Sequence, residues 1–401
     1  MELKFETIQP RPTRFYLLLF ILAALTLPGI LSTYLMYERG IYLSGMTNRV
    51  PWGLQIILAV FYIGASAGSL VISSLYGIFG RLEYKPFARI AVYLALLFLV
   101  AALLSILTDL GRLDRLGECF AHFNFLSMLS INPFLYNMYI LICAVYLWAM
   151  LVEREKLVKI MAVIAVLWAI AVHSGTGAIF GFVPRELYKS PLLPPSFIAA
   201  ALSSGTGLMI LVILTLFGVT GRPLDKRLVL SLGRLLAVFI LVVMYFIFIE
   251  NAYRLYVFES REAAWYFLFG RLPSVVFWGG LVIVGSVIPA VILFHPRTGN
   301  TIPWVALSAA LVVFGVLCER YLIVIPGQIH PPDLFPNMEM AGSALDEGIV
   351  GYSISIHEVF QAVGVLALIA LLFVVGLKVL RLLPTEARIW EQPTAGASLV
   401  T

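Results

Sequence analysis

Residues 160–182 read IMAVIAVLWAIAVHSGTGAIFGF, an apolar run with a single imidazole, His173, inside it. A bilayer-spanning helix needs about 20 such residues, so this stretch predicts a membrane span. The other histidines, His122, His295, His330 and His357, fall in or beside polar connections. Ser174, Gly175, Thr176 and Gly177 follow His173 at once, small residues that let a helix or a ligand come close. A titratable ring in hydrocarbon is costly unless it is paired, and it marks a functional site by default. The plainer alternative is an interhelical hydrogen bond.

The rest of the chain agrees with a membrane setting. It has 401 residues, 61% hydrophobic and only 12% charged, more apolar than a water-soluble core requires. Hydropathy selects about ten spans, near 15–36, 54–79, 87–108, 133–152, 157–182, 196–220, 228–249, 273–294, 302–317 and 359–377. Barrel-type alternation is absent, so the spans predict helices. The first is long and lacks a small-residue cleavage site, which predicts a retained helix. The expected fold is an all-α integral membrane protein with two consecutive four-helix bundles, 54–182 and 183–325. A first helix with its loop (1–53) and a last helix with a cytoplasmic tail (326–401) flank them.

Most of the 27 Lys and Arg fall on one face, in clusters such as Arg81, Lys85, Arg89 and Arg222, Lys226, Arg227. The positive-inside rule makes that face cytoplasmic and places both termini there. The net charge of +5 follows from this bias and implies no nucleic-acid partner. Connections on the opposite, outer face are long and rich in Pro, Tyr and charge, which marks it as the working face.

Helix direction collects the polar residues of the first bundle. Trp52 and Gln55 enter the second helix from outside, Asp109 ends the third, and Ser130, Asn132 and Tyr136 open the fourth. His173 lies roughly 13 Å below the outer end of the fifth, at 1.5 Å per residue. A carboxylate at a helix C-terminus wants a partner, and Arg112 is the nearest cation to Asp109 in sequence. Between Leu113 and Leu129 apolar and charged residues alternate, predicting a short helix in the interface plane. Pro28-Gly29 predicts a kink in the first helix, and Gly64–Gly68 a close helix-packing face.

A bis-histidine haem needs two facing imidazoles within the membrane, and only His173 lies there. Cys119, Cys143 and Cys318 lack iron–sulfur spacing. No haem, iron–sulfur cluster or metal site is therefore expected in this chain. Carboxylates are missing from the middle and inner halves of the spans, which argues against a full carboxylate proton relay, although Ser, Thr and Tyr could carry part of a path. An amphipathic ligand entering from lipid and handled near the outer face fits what remains. A quinone is one: its oxygens meet groups such as His173 and Tyr136, and its redox chemistry moves protons.

In its motifs the chain resembles the polysulfide reductase membrane-subunit family (NrfD/PsrC-like), in particular the ten-helix branch with DsrP and the Hdr-like menaquinol oxidoreductase membrane subunit. The resemblance rests on Trp52-Gly53, Gly64-Ala-Ser-Ala-Gly68, Asp109-Leu-Gly-Arg112, His173-Ser-Gly175 and Ser190-Pro-Leu-Leu-Pro194. It continues through Glu319-Arg320-Tyr321 to Pro326, and through Tyr352-Ser-Ile-Ser355 into His357-Glu358. Leu113 stands where the family pattern leads one to expect proline. The resemblance implies a cofactor-free subunit of a menaquinol:acceptor oxidoreductase complex in a prokaryotic cell membrane. Menaquinone is then its bound substrate, in the first bundle near the outer face. A ferredoxin-like iron–sulfur subunit docks outside, with further haem and iron–sulfur subunits of a DsrMKJOP-type sulfur-metabolism complex.

On this reading His173 and Asp109 bind the head group and exchange its protons, and Asn132, Tyr136, Gln55, Trp52 and Ser130 complete the site. Two alternatives stay open. A secondary transporter predicts broken helices around a midplane site, with Gly64–Gly68 and Ser203–Gly207 as the segments to inspect. A structural anchor predicts the same fold without quinone activity.

Overall fold

The computed structural model describes residues 4–270, 272–330 and 351–385. Among them are ten helices long and apolar enough to cross a membrane: α1 (Pro12–Arg39), α2 (Leu54–Gly77), α3 (Leu82–Asp109), α4 (Met128–Leu151) and α5 (Glu155–Gly181), followed by α6 (Leu193–Thr220), α7 (Lys226–Tyr256), α8 (Leu272–Phe294), α9 (Ile302–Ile329) and α10 (Ile356–Val379). The protein is an all-α, multi-pass integral membrane protein.

The packing follows the order of the helices in sequence. Helices α2 to α5 contact one another in a closed ring, and α6 to α9 form a second. The rings join where α2 and α5 meet α6. Outside them, α1 packs on α10, and α10 on α3.

Glycine sets the closest of these contacts. A Cβ on Gly68 of α2 would lie 2.6 Å from the Cα of Gly205 on α6, so the two backbones touch. Both helices run unbroken through this crossing. The two segments that a transporter would interrupt are instead the two sides of one packing joint. Gly29 and Gly364 make the equivalent contact between α1 and α10, at 2.8 Å. Helix α1 continues through Pro28.

Two helices run further than their hydropathy predicts, for one reason. Helix α9 passes through Glu319 and Arg320, and α7 through Glu250 and Arg254. These charges end an apolar window in the sequence, yet all four are buried against other helices. Glu250 and Arg254 pair at 2.7 Å one turn apart. The middle of α8, Val276–Val287, is wound as a π-helix.

Both described ends of the polypeptide lie on one face. Strand β1 (Phe5–Glu6) pairs antiparallel with β2 (Leu383–Pro384), and Arg222 donates to the Leu383 and Pro384 carbonyls at 3.0 and 2.6 Å. Pro384 is thus clasped rather than loose, because the connection after α6 supplies a donor for its carbonyl. The tail from 386 onward and the proline-rich residues 331–337 lie outside the described residues. We call this the terminal face, and the opposite one, with the connections after α1 and α3, the loop face.

Candidate functional site

His173 is buried in the first ring, clamped between two carbonyls. Its Nδ1 lies 2.8 Å from Ala169 O in its own helix, and its Nε2 lies 3.1 Å from Ile63 O across on α2. A neutral imidazole carries one N–H and donates to only one of these acceptors; a protonated ring donates to both. A proton arriving at His173 therefore finds an acceptor already in position.

Asn132 and Tyr136 of α4 stand beside the same stretch of α5. Asn132 Nδ2 donates to Met128 O at 2.7 Å and to Gly175 O at 3.0 Å. A Cβ on Gly175 would sit 2.8 Å from Asn132 Oδ1, so glycine is what admits the amide. Tyr136 and Thr176 hydroxyls lie 2.9 Å apart. Ser130 is half-buried in the first turn of α4.

A second polar group sits at the loop-face end of α2. Gln55 is buried and donates from Nε2 to the Glu358 carbonyl at 2.9 Å. The Glu358 carboxylate gathers four donors: Gly45 N–H and Ser355 N–H on one oxygen, Leu54 N–H and Tyr352 O–H on the other, all within 3.1 Å. It also closes the capping box of α10 with Ser355. Burial, then the Glu358 hydrogen bond and charge, push the Tyr352 hydroxyl far above the ordinary phenol range, so it stays protonated and donating. Gln328 of α9 grips the Trp52 backbone at both N–H and C=O, while the Trp52 ring meets Phe180 edge-on at 5.4 Å.

Asp109 ends α3 near Glu358, and its Oδ1 has no partner among the described residues. Arg112 does not supply one. Gly111 takes a left-handed turn (φ +65°) that sends Arg112 outward, where it makes a bidentate pair with Asp114 at 2.9 and 2.7 Å. That hydrogen bond holds the exposed Asp114 carboxyl below its usual range. Beyond it the polypeptide forms only a short helix, Glu118–Ala121.

The expected residues thus fall into two levels. Asn132, Tyr136 and His173 come together on α4 and α5, while Trp52, Gln55 and Asp109 gather at the loop face. Gln55 and Ile63 are eight residues apart on α2, so the levels differ in depth by about 12 Å. Beside the upper one, a cavity of about 420 Å³ opens between α1, α3 and α10, lined by Thr33, Tyr37, Thr108 and Gln361.

Two further residues were not visible as site residues from sequence. Glu358 left one signal, the Ser-x-x-Glu capping box, but its four-donor role depends on how α10 meets α2. Arg320 is fully buried with its guanidinium 4.3 Å from the Phe197 ring centre. Its three nitrogens have no hydrogen-bond partner among the described residues, and Glu319 comes no closer than 3.9 Å. A pair of charges just past the end of a predicted span was the available signal.

The chemistry on offer has a direction. Gln55 Oε1, Asn132 Oδ1, Asp109 Oδ1 and Gln361 Oε1 are all buried acceptors without a donor among the described residues. The amide donors of Gln55, Asn132 and Gln361 are already engaged. Buried polar atoms require partners, so this end of the first ring suits a ligand that donates hydrogen bonds.

Comparison with known proteins adds the family. Residues 42–332 match the family model described as polysulphide reductase, NrfD, a range that takes in both rings, α2 to α9, and leaves α1 and α10 outside. The protein is 40% identical over 391 residues to the Hdr-like menaquinol oxidoreductase integral membrane subunit of Archaeoglobus fulgidus, covering 96% of this chain and 98% of that one. It is 30% identical to a putative dimethyl sulfoxide reductase membrane subunit of Halobacterium salinarum, over 90% of each. Against the menaquinone reductase integral membrane subunit of Nitratidesulfovibrio vulgaris it is 24% identical, over 78% of this chain and 81% of that one.

Proposed function

The chain belongs to the polysulphide reductase NrfD family, and on that premise we propose that it is the quinone-reactive membrane subunit of a multi-subunit oxidoreductase. It passes electrons between menaquinol and a ferredoxin-like iron–sulfur subunit docked on the loop face. That face is the outer one and both termini are cytoplasmic, in the cell membrane of a prokaryote. The relatives named for menaquinol and menaquinone chemistry support this. The polysulphide reductase family supports a complex of the sulfur-metabolism type, and on the motif resemblance we add further haem and iron–sulfur subunits to it.

The observation that carries the reading is the set of unpartnered acceptors around Gln55, Asn132 and Asp109. A hydroquinone donates from its hydroxyls, whereas a quinone only accepts, so these atoms favour the reduced form. Menaquinol supplies electrons and releases a proton with each. Gln55 and Asn132 hold its hydroxyls through Oε1 and Oδ1, and Trp52 and Ser130 border the entrance. Asp109 takes a proton at Oδ1. His173 takes one into the imidazole, where both ring nitrogens then donate to carbonyls already in place, and the Tyr136–Thr176 hydroxyl pair stands one turn further along α5. The partner meets the exposed Phe120, Phe125 and Leu126 of the loop after α3.

Mixing the purified complex anaerobically with a short-chain menaquinol tests this. Reduction of the partner's iron–sulfur clusters, lost in Asp109→Asn, is the expected result. Clusters that stay oxidised in the wild-type complex, with no quinone bound, would leave only an anchoring role. The unbroken α2 and α6 give the transporter reading no support.

A further inference from the structure

Helices α1 and α10 stand outside both rings, and α1 meets the other spans chiefly through α10. The two touch backbone to backbone at Gly29 and Gly364. Around this crossing and on toward the loop face they enclose, with α3, the cavity of about 420 Å³. Two of its three walls are thus helices that lie outside the family match, 42–332. The α1 wall runs from Thr26 to Tyr37, a length of about 16 Å at 1.5 Å per residue. Ile30 and Tyr34 on that wall are 60% and 58% exposed, so the rim of the cavity faces lipid.

The walls make few polar demands. The hydroxyls of Thr26, Thr33 and Thr108 each donate to a carbonyl of their own helix, those of Leu22, Gly29 and Ser105, at 2.9 Å. Deeper in the membrane the lining is aliphatic, with Leu104, Val365 and Leu368. One polar atom is left over. Gln361 lines the cavity and is buried; its Nε2 donates to Thr33 Oγ1 at 3.2 Å, and its Oε1 has no donor among the described residues. A buried acceptor calls for a donor. Apolar walls with a few placed polar groups, in a volume of about 300–1,000 Å³, make a small-molecule site.

The position of Gln361 says where that donor lies. Gln361 follows Glu358 by one turn of α10, and Thr108 precedes Asp109 at the end of α3. The polar end of the cavity therefore shares its wall with the Gln55–Asp109 level. An occupant that fits has a donating head beside Asp109 and an apolar body reaching toward the middle of the membrane. A phospholipid acyl chain would match the length but brings no donor to Gln361.

We propose that this cavity holds the isoprenoid chain of menaquinol and that Gln361 Oε1 is the first acceptor its head group meets. The proposal rests on the quinone reading above. The head then moves on to Gln55 and Asn132, and the chain it trails fills the space between α1, α3 and α10. Lipid is as apolar as these walls, so the chain gains shape fit and orientation rather than burial. The helices added around the first ring thereby deliver the head group the right way round.

The test uses the whole complex in nanodiscs with two donors: a menaquinol whose short isoprenoid chain ends in a diazirine, and the same head group without a chain. On illumination the label should fall on α1 or α10, near Ile30 and Leu368. In Leu368→Trp, and separately in Leu104→Trp, labelling and kcat/KM for the chain-bearing donor should fall roughly tenfold. The chainless donor should keep its wild-type kcat/KM, which shows that the variants fold and that the head-group site is intact. Label confined to other helices overturns the proposal, as do variants that keep both the labelling and the rate with the chain-bearing donor. A diazirine-bearing phospholipid that labels the cavity undiminished by menaquinol also overturns it, and makes the cavity a lipid site. A wild-type complex that oxidises neither donor overturns the functional reading, and the chain site with it.

Discussion

Glu358 of α10 holds the start of α2: its carboxylate accepts the Leu54 N–H at 3.1 Å. The two residues are 304 positions apart, so the last helix fixes the loop-face end of the first ring. Three more donors converge on the same carboxylate. Glu358→Ala leaves them buried without an acceptor, a loss of about 3 kcal/mol or more. The variant is expected to unfold several degrees lower in nanodiscs. An unchanged melting temperature would show that α10 does not brace α2.

On the proposed reading Gln55 is a binding contact as well as a brace. Its Oε1 is spare, and only its Nε2 is used within the protein. Gln55→Ala should raise KM for menaquinol roughly tenfold, the equivalent of one lost hydrogen bond. Turnover at saturation should change little. A fall in kcat with unchanged KM would contradict the assignment.

Gly205 and Gly218 lie on the same helix in different surroundings. Gly205 meets Gly68 backbone to backbone, whereas a Cβ on Gly218 would have nothing within 4 Å. Gly205→Leu pushes the two rings apart at a cost of about 1–3 kcal/mol. Gly218→Ala should be neutral or add up to about 1 kcal/mol through helix propensity. Thermal unfolding of the two variants side by side checks the contrast.

The spans were legible in the sequence because each needs only a long apolar run, and their order alone yields two successive rings. The ends of α7 and α9 were not. Glu250, Arg254, Glu319 and Arg320 read as the limits of spans, and only tertiary packing buries them. The site divides in the same way. Helix direction placed His173, Asn132 and Tyr136 near one another, since depth follows from residue count. Asp109 was placed at the right end of α3 but given the wrong neighbour, because the left-handed Gly111 turns Arg112 away. Glu358 reaches Leu54 across most of the sequence, a contact that no local pattern announces.

His173 carries the central claim, and bound quinone is its most direct readout. Menaquinone extracted from the purified complex should be present in the wild type and absent or strongly reduced in His173→Ala, with partner subunits still attached at wild-type stoichiometry. Menaquinol-dependent turnover should fall by about 10²–10⁴ in the same sample. A His173→Ala complex that retains both its menaquinone and its turnover would contradict the account.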